Sequence, residues 1–168
     1  MSLDQQSVFP SASLENSNLI HQLEQDRAIF IGAKYQSYYQ KQFEKITLKK
    51  QYAGFNIAAF FLGVIWLFYR KMYRYGFMAI ALILVIGVVE TLLGIEGSGS
   101  TIGLSVAFGM FGNTLYKHYV DKQIAKIRQL GNGDFSTELE NRGGTNFVAG
   151  LILLLIVLGL IVLAIIAS

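Results

Sequence analysis

Glu90 is the sole ionisable residue inside a clear apolar span, residues 77–95 (FMAIALILVIGVVETLLGI). A carboxylate at membrane depth is costly and normally faces protein or water. Two chemistries fit it. It could handle a proton or cation, or it could sit protonated or hydrogen-bonded near the outer interface and fix helix packing. Gly87, Glu90 and Gly94 share one helical face, and small residues there let another helix approach. Ser105, Gly109 and Gly112 form a matching small stripe on the next apolar segment. An antiparallel hairpin would bring Ser105 near the depth of Glu90. One lone carboxylate makes a poor relay, so a packing role is the expectation.

Asn56 and Asn113 are the other polar side chains near the ends of apolar stretches, and each could hydrogen-bond backbone freed by a helix break. A ligand role is the alternative. Arg70, Lys71 and Arg74 follow Trp66, Tyr69, Tyr73 and Tyr75. Trp66 and Arg70 are four apart and could stack as a cation–π pair. The cluster is either an interfacial anchor or a contact site for anionic lipid or a partner. Ten of the 22 aromatic residues fall between Tyr52 and Phe77, a density beyond what anchoring requires.

Catalytic constellations are missing. His21 and His118 have no paired carboxylate or second ligand at metal spacing. There is no phosphate-cradling G-x-x-x-x-G-K loop. Gly131-Asn132-Gly133-Asp134 lacks the further acids of a calcium loop. The chain has no Cys, which removes thiolate metal sites and thiol catalysis. No catalytic, cofactor-binding or metal residue is therefore assigned, and the chain does not read as an enzyme.

Charged residues make up only 15% and hydrophobic ones 53% of the chain, against about 25% charged in an ordinary soluble domain. The balance points to an integral membrane protein. A net charge of +3 then needs no nucleic acid, because cytoplasmic flanks of membrane helices collect Lys and Arg.

Residues 1–20 are polar and aperiodic, and read as a flexible tail without a signal peptide. Over residues 21–52, Ile31, Tyr35, Tyr38, Tyr39, Phe43 and Ile46 recur at three- and four-residue steps on one helical face, accompanied by lysines. That face either lies on an anionic membrane surface or packs on protein. Residues 53–69 hold an uninterrupted apolar run of only 13 residues, Ile57–Tyr69. A span needs about 20, so this element reads as re-entrant or interfacial. Residues 77–95 and 148–167 read as spans. Residues 101–116 read as a shorter one, continuing as a cytoplasmic helix to 130 on a stripe of Tyr116, Val120, Ile124, Ile127 and Leu130. EGSGS (96–100) reads as a turn, and Thr145 or Asn146 as the cap of the last helix.

The basic residues set the orientation. Six precede residue 53, three lie in 70–74, five in 117–146, and none in 96–100 or after 147. If 53–69 enters and leaves on one face, every Lys and Arg is cytoplasmic. The expected order is N-terminus in, residues 70–74 in, 96–100 out, 117–146 in, C-terminus out. The alternative has four spans and must translocate six basic residues.

Phe55-Asn56-Ile57-Ala58-Ala59-Phe60-Phe61-Leu62-Gly63, then Trp66, then Tyr69-Arg70-Lys71-Met72-Tyr73, resembles the YigF-like family of small, uncharacterised bacterial membrane proteins. Phe30-Ile31-Gly32, Tyr38-Tyr39, Gly112-Asn113 with Tyr116, and Gly143-Gly144-Thr145 resemble it too, so the likeness covers residues 28 to about 150. Ile57 replaces the usual Trp. Val64 stands where Pro is common, which leaves a sharp break at Gly63 without its proline. The resemblance implies a helical inner-membrane protein and supplies no activity.

The sequence thus predicts an all-α integral membrane protein with three transmembrane helices, one re-entrant element and amphipathic cytoplasmic helices. The expected role is a small accessory or scaffold protein. It would associate with another membrane protein or with its own copies, and its basic flanks would meet anionic lipid headgroups. A channel or transporter component using Glu90 is the alternative. The expected contact surface comprises Tyr39, Phe43, Ile124 and Ile127, with Trp66, Arg70, Lys71 and Arg74 beside it.

Overall fold

The computed structural model describes residues 9–47, 49–95, 99–131 and 134–167, with side-chain surroundings from residue 14 onward, and all regular structure among them is helical. Helix α1 (Phe9–Ile31) begins inside the segment that reads as a tail. Pro10 lies in its first turn, where a missing N–H costs nothing. Helix α1 stops at Gly32, which adopts a left-handed φ of 76° and returns its N–H to the Ala28 carbonyl (2.9 Å). A π-helical turn, Tyr35–Tyr39, leads into α2 (Gln40–Glu44). Tyr35, Tyr39 and Phe43 follow at four-residue steps and all become buried. Helix α6 (Gly99–Leu130) supplies the opposing stripe: Tyr116, Val120, Ile124 and Ile127 are buried, while Leu130 is exposed.

The aromatic face of residues 31–46 therefore meets the stripe of α6 within the chain. Tyr39 lies 4.9 Å from Tyr116, and Phe43 lies 6.2 Å from it, centroid to centroid. Such tilted and edge-on pairs suit the ring quadrupole. This corrects the expectation that Tyr39, Phe43, Ile124 and Ile127 form an outward contact surface. Each apolar face is covered by the other, which removes the cost of a wet apolar stripe.

Residues 53–69 form two short helices, α3 (Ile57–Leu62) and α4 (Val64–Tyr69). Six residues of helix cover about 9 Å, far less than a hydrocarbon core of about 30 Å. The chain bends between them at Gly63, with φ 46° and ψ −113°. No proline is needed, because glycine alone reaches this left-handed φ cheaply. Both ends of the pair bond to neighbouring levels of α6. Ala53 accepts from Asn113 (3.2 Å), and the Lys71 carbonyl accepts from the Tyr119 hydroxyl (3.0 Å). The bend at Gly63 instead faces Phe108, further back along α6.

Helix α5 (Tyr73–Leu93) leans on α4 at its base, where a Cβ on Gly76 would sit 2.3 Å from the Phe68 ring. From Leu82 onward its side chains are exposed apart from half-buried Ile86 and Glu90. Helix α7 (Phe135–Arg142) is capped by Asp134, whose carboxylate accepts from the Ser136 and Thr137 amides. Helix α8 (Phe147–Ala167) starts at Asn146, whose side chain accepts from Ala149 N (3.0 Å), so Asn146 rather than Thr145 is the cap. Residues 96–98 of the expected EGSGS turn, Asn132 and Gly133 of the expected stop after α6, and Ser168 lie outside the described residues.

Two helices among the described residues are long and apolar enough to cross a membrane: α5, and the stretch Phe135–Ala167, whose apolar part is α8. This corrects the count of three. Helix α6 falls short because Gly103, Ser105, Gly109, Gly112, Asn113 and Thr114 dilute its first half, and charged residues fill its second.

Candidate functional site

Asn56 and Asn113 meet. The Asn56 amide donates to Asn113 Oδ1 (2.9 Å), and Asn56 Oδ1 accepts the Ala59 N–H (2.9 Å), capping α3. Asn113 Nδ2 donates to the Ala53 carbonyl and to the Tyr38 hydroxyl (3.3 Å). The Asn56 backbone N–H donates to the Gly109 carbonyl (2.8 Å). The pair is 2% and 0% exposed, so every polar atom it brings inside must find a partner here. The two side chains were legible singly as polar residues beside apolar runs; their contact was not.

The glycines of α6 serve this junction. A Cβ on Gly109 would stand 2.4 Å from the Phe55 ring, and one on Gly112 would stand 2.8 Å from the Ala59 Cβ. The small stripe on α6 therefore receives α3. The expected hairpin contact of Ser105 with the Glu90 face is not what it serves. Gly94 is not a packing residue either. It ends α5 with a left-handed φ of 64°, and Ile95 N donates to the Glu90 carbonyl (2.9 Å) in a Schellman-type closure.

Arg70 ends α4 only 6% exposed. Its guanidinium carbon lies 4.8 Å from the Tyr39 ring centroid, 5.1 Å from that of Tyr116 and 5.5 Å from that of Tyr69. The expected Trp66–Arg70 stack is replaced by this tyrosine cage. Trp66, also buried, instead meets Tyr116 edge-on at 5.9 Å. Nε and Nη1 of Arg70 have no hydrogen-bond partner among the described residues. Burial pushes the Tyr39 phenol up, against the opposing charge of Arg70, so it is no anionic partner at neutral pH. Lys71 is half-buried and takes a left-handed φ of 58°, with Nζ donating to the Asn141 carbonyl (3.1 Å). Arg74 is exposed.

Beside Arg70 lies a cavity of about 590 Å³ between α3–α4 and α8, with Lys34, Trp66 and Arg70 among its lining residues.

A second polar cluster carries no sequence signal beyond ordinary surface charge. Arg27 on α1 forks onto Asp121 of α6, Nε to Oδ1 and Nη2 to Oδ2, both at 2.8 Å, and reaches Glu24 at 2.7 Å. Arg128 of α6 pairs with buried Asp26, and Tyr35 donates to Glu24. Burial opposes the charge on Arg27, and the hydrogen bonds and field of Asp121 and Glu24 overcome that, holding it protonated. Asp121 and Arg128 are seven apart, two turns on one face of α6, and that spacing is the one clue available. This clamp fixes α1 on α6.

Glu90 is half-buried on α5 and has no polar partner among the described residues, and a Cβ on Gly87 of the same face would meet nothing within 4 Å. No group of three metal-ligating side chains occurs among the described residues.

The family model described as "Protein of unknown function (DUF2628)" matches residues 22–121, and the chain belongs to that family. The match begins in α1 before Arg27 and ends at Asp121, so it contains the Arg27–Asp121 pair, the asparagine pair and Arg70, while Arg128 lies beyond it. No curated protein and no solved structure matches the chain.

Proposed function

We propose that the chain is a small membrane accessory or scaffold protein that acts by association, with another membrane protein or with a second copy, through the outer half of α5. The observation that carries this is Glu90. It is an ionisable side chain in an apolar helix, on a face left open by Gly87, with no polar partner among the described residues. Inside a bilayer such a group finds protein or water. A channel role for Glu90 would need a polar path beside it; its neighbours on α5 are apolar except Thr91, whose hydroxyl donates to the Gly87 carbonyl of its own helix (2.8 Å).

The placement that supports this reading is a multi-pass one in the bacterial inner membrane, as the YigF-like resemblance implies. Helices α5 and α8 span. The first half of α6, too diluted by small and polar residues to be a continuous apolar helix, brings the chain back across beside them with α3 packed on it, and α3–α4 dips in and returns at Gly63. The clamped helices α1, α2, α7 and the end of α6 sit on the cytoplasmic side, with the basic residues.

Photo-crosslinking side chains in place of Ile83 and Gly87, with Val88 and Leu92 as controls on other faces, test the association. The expected result is a discrete protein adduct from the first two and lipid adducts from the controls. Glu90→Leu should weaken the adduct, by about 1 kcal/mol of association, and Glu90→Gln should keep it. Lipid adducts alone at all four positions contradict the reading. Loss of ion flux in Glu90→Gln, with its adduct retained, would move the assignment to a channel component.

A further inference from the structure

We infer that the cavity between α3–α4 and α8 is a binding site for one anionic phospholipid, whose phosphate meets Arg70 and Lys34 and whose acyl chain lies against Ile65, Leu151 and Leu154. The inference uses the membrane placement above but not the association through α5.

Arg70 carries the argument. It is only 6% exposed, and no carboxylate pairs with it among the described residues. A buried cation without an anion is unfavourable. Three tyrosine faces offset part of that cost by cation–π attraction, but they leave Nε and Nη1 without acceptors. The other buried arginine of the molecule shows the contrast: Arg27 has its carboxylates supplied by the chain. At Arg70 the fitting partner is an anion that offers two oxygens side by side, as a phosphodiester does, because a guanidinium fork bonds such a pair bidentately. Lys34, exposed where α1 turns into the aromatic segment, lines the same cavity and adds a second positive charge.

The rest of the cavity selects for a chain rather than for a free anion. Its volume of about 590 Å³ falls within the range of about 300–1,000 Å³ common for small-molecule sites. Its apolar wall follows α8 from Phe147 to Leu154, about 10 Å along the helix axis, and leads away from the cations. An amphiphile with a phosphate at one end and hydrocarbon behind it fits both halves at once. A bilayer presents such a molecule at this depth in the cytoplasmic leaflet.

The test uses the chain's single tryptophan, Trp66, which lines the cavity and is buried. The full-length protein in mild detergent is titrated with phosphatidylglycerol or phosphatidylcholine carrying brominated acyl chains, and Trp66 fluorescence quenching is read. Brominated phosphatidylglycerol should quench with a midpoint about tenfold lower, the equivalent of one charge-assisted hydrogen bond. Arg70→Gln should abolish that preference and Lys34→Gln should reduce it. Leu154→Phe fills the cavity from α8 without touching Arg70, and should weaken quenching by both lipids. Inorganic phosphate in excess should leave quenching unchanged; if it displaces the lipid completely, the site is one for free phosphate and the lipid assignment is wrong. Equal quenching by the two lipids in the unaltered protein overturns the proposal without bearing on crosslinks from α5. So does an undiminished preference in a folded Arg70→Gln.

Discussion

The asparagine pair sets how sharply single residues define this structure. Asn113 satisfies Asn56, the Ala53 carbonyl and Tyr38 from one fully buried side chain. Asn113→Leu would orphan several of these groups at once and should cost about 2–3 kcal/mol, since each buried unsatisfied group costs about 1–3. Asn56→Ser keeps an N-cap acceptor for α3 and removes the amide donor. A double-mutant cycle of the two, read by unfolding in mixed micelles, should give a coupling of about 1 kcal/mol, and additivity would show that the pair does not act as one unit. Sequence reasoning flagged both asparagines because an amide beside an apolar run demands a partner. It could not join them, because 57 residues of chain separate them. The four-residue spacing points Arg70 to Trp66, because spacing describes neighbours on one helix and says nothing of tyrosines arriving from elsewhere. Asp26 and Arg27 carry no such signal, because a charged residue on a polar helix is ordinarily solvated, yet both are buried.

At the scale of elements, periodicity was the dependable guide. The residue 31–46 stripe and the residue 116–127 stripe were both legible, and both faces are buried. What covers each was not legible, because a periodic pattern names a face and leaves its partner open. The close approach of α7 to α1 was equally hidden. A Cβ on Gly143 would stand 2.0 Å from the Phe30 carbonyl oxygen, which also accepts the Gly144 N–H at 2.7 Å. Gly143→Ala must therefore push α7 off the end of α1. We expect a loss of about 2–4 kcal/mol, in the range of overpacking against a fixed neighbour, whereas Gly87→Ala, in open space, should be nearly neutral. Equal effects in thermal unfolding would contradict the contact. The cap of α7 gives a pH signature. Hydrogen bonds from Ser136 and Thr137 hold the Asp134 carboxyl down to about 2, against its ordinary 3.8. Its contribution is therefore fully present above 3.8 and is lost as pH falls through about 2. Amide exchange at Ser136 and Thr137 should quicken across that window, and Asp134→Ala should abolish the pH dependence.

At the scale of the whole molecule, the chain divides into a polar half with a core of its own and apolar helices whose side chains look outward. Composition predicted the division, since low charge and long apolar runs leave few alternatives to a bilayer. The number of helices apolar enough to span was overcounted, because the first half of α6 alternates apolar residues with the small and polar ones that receive α3. Between these halves lies α3–α4, whose two ends bond to neighbouring turns of α6 and whose bend at Gly63 points away from both. That geometry supports the proposed excursion that returns to the side it left; with the first half of α6 bringing the chain back across after α5, the proposed topology groups all 14 basic residues on one side. The chain lacks cysteine, so single introduced thiols at Ser37→Cys, Arg74→Cys, Ile95→Cys and Asn141→Cys report location without background. In intact bacterial cells an impermeant thiol reagent should label the Ile95 variant alone, and the other three should react only after permeabilisation. Labelling of the Ser37 variant in intact cells, with the Arg74 variant protected, would place the two ends of α3–α4 on opposite sides and contradict the account.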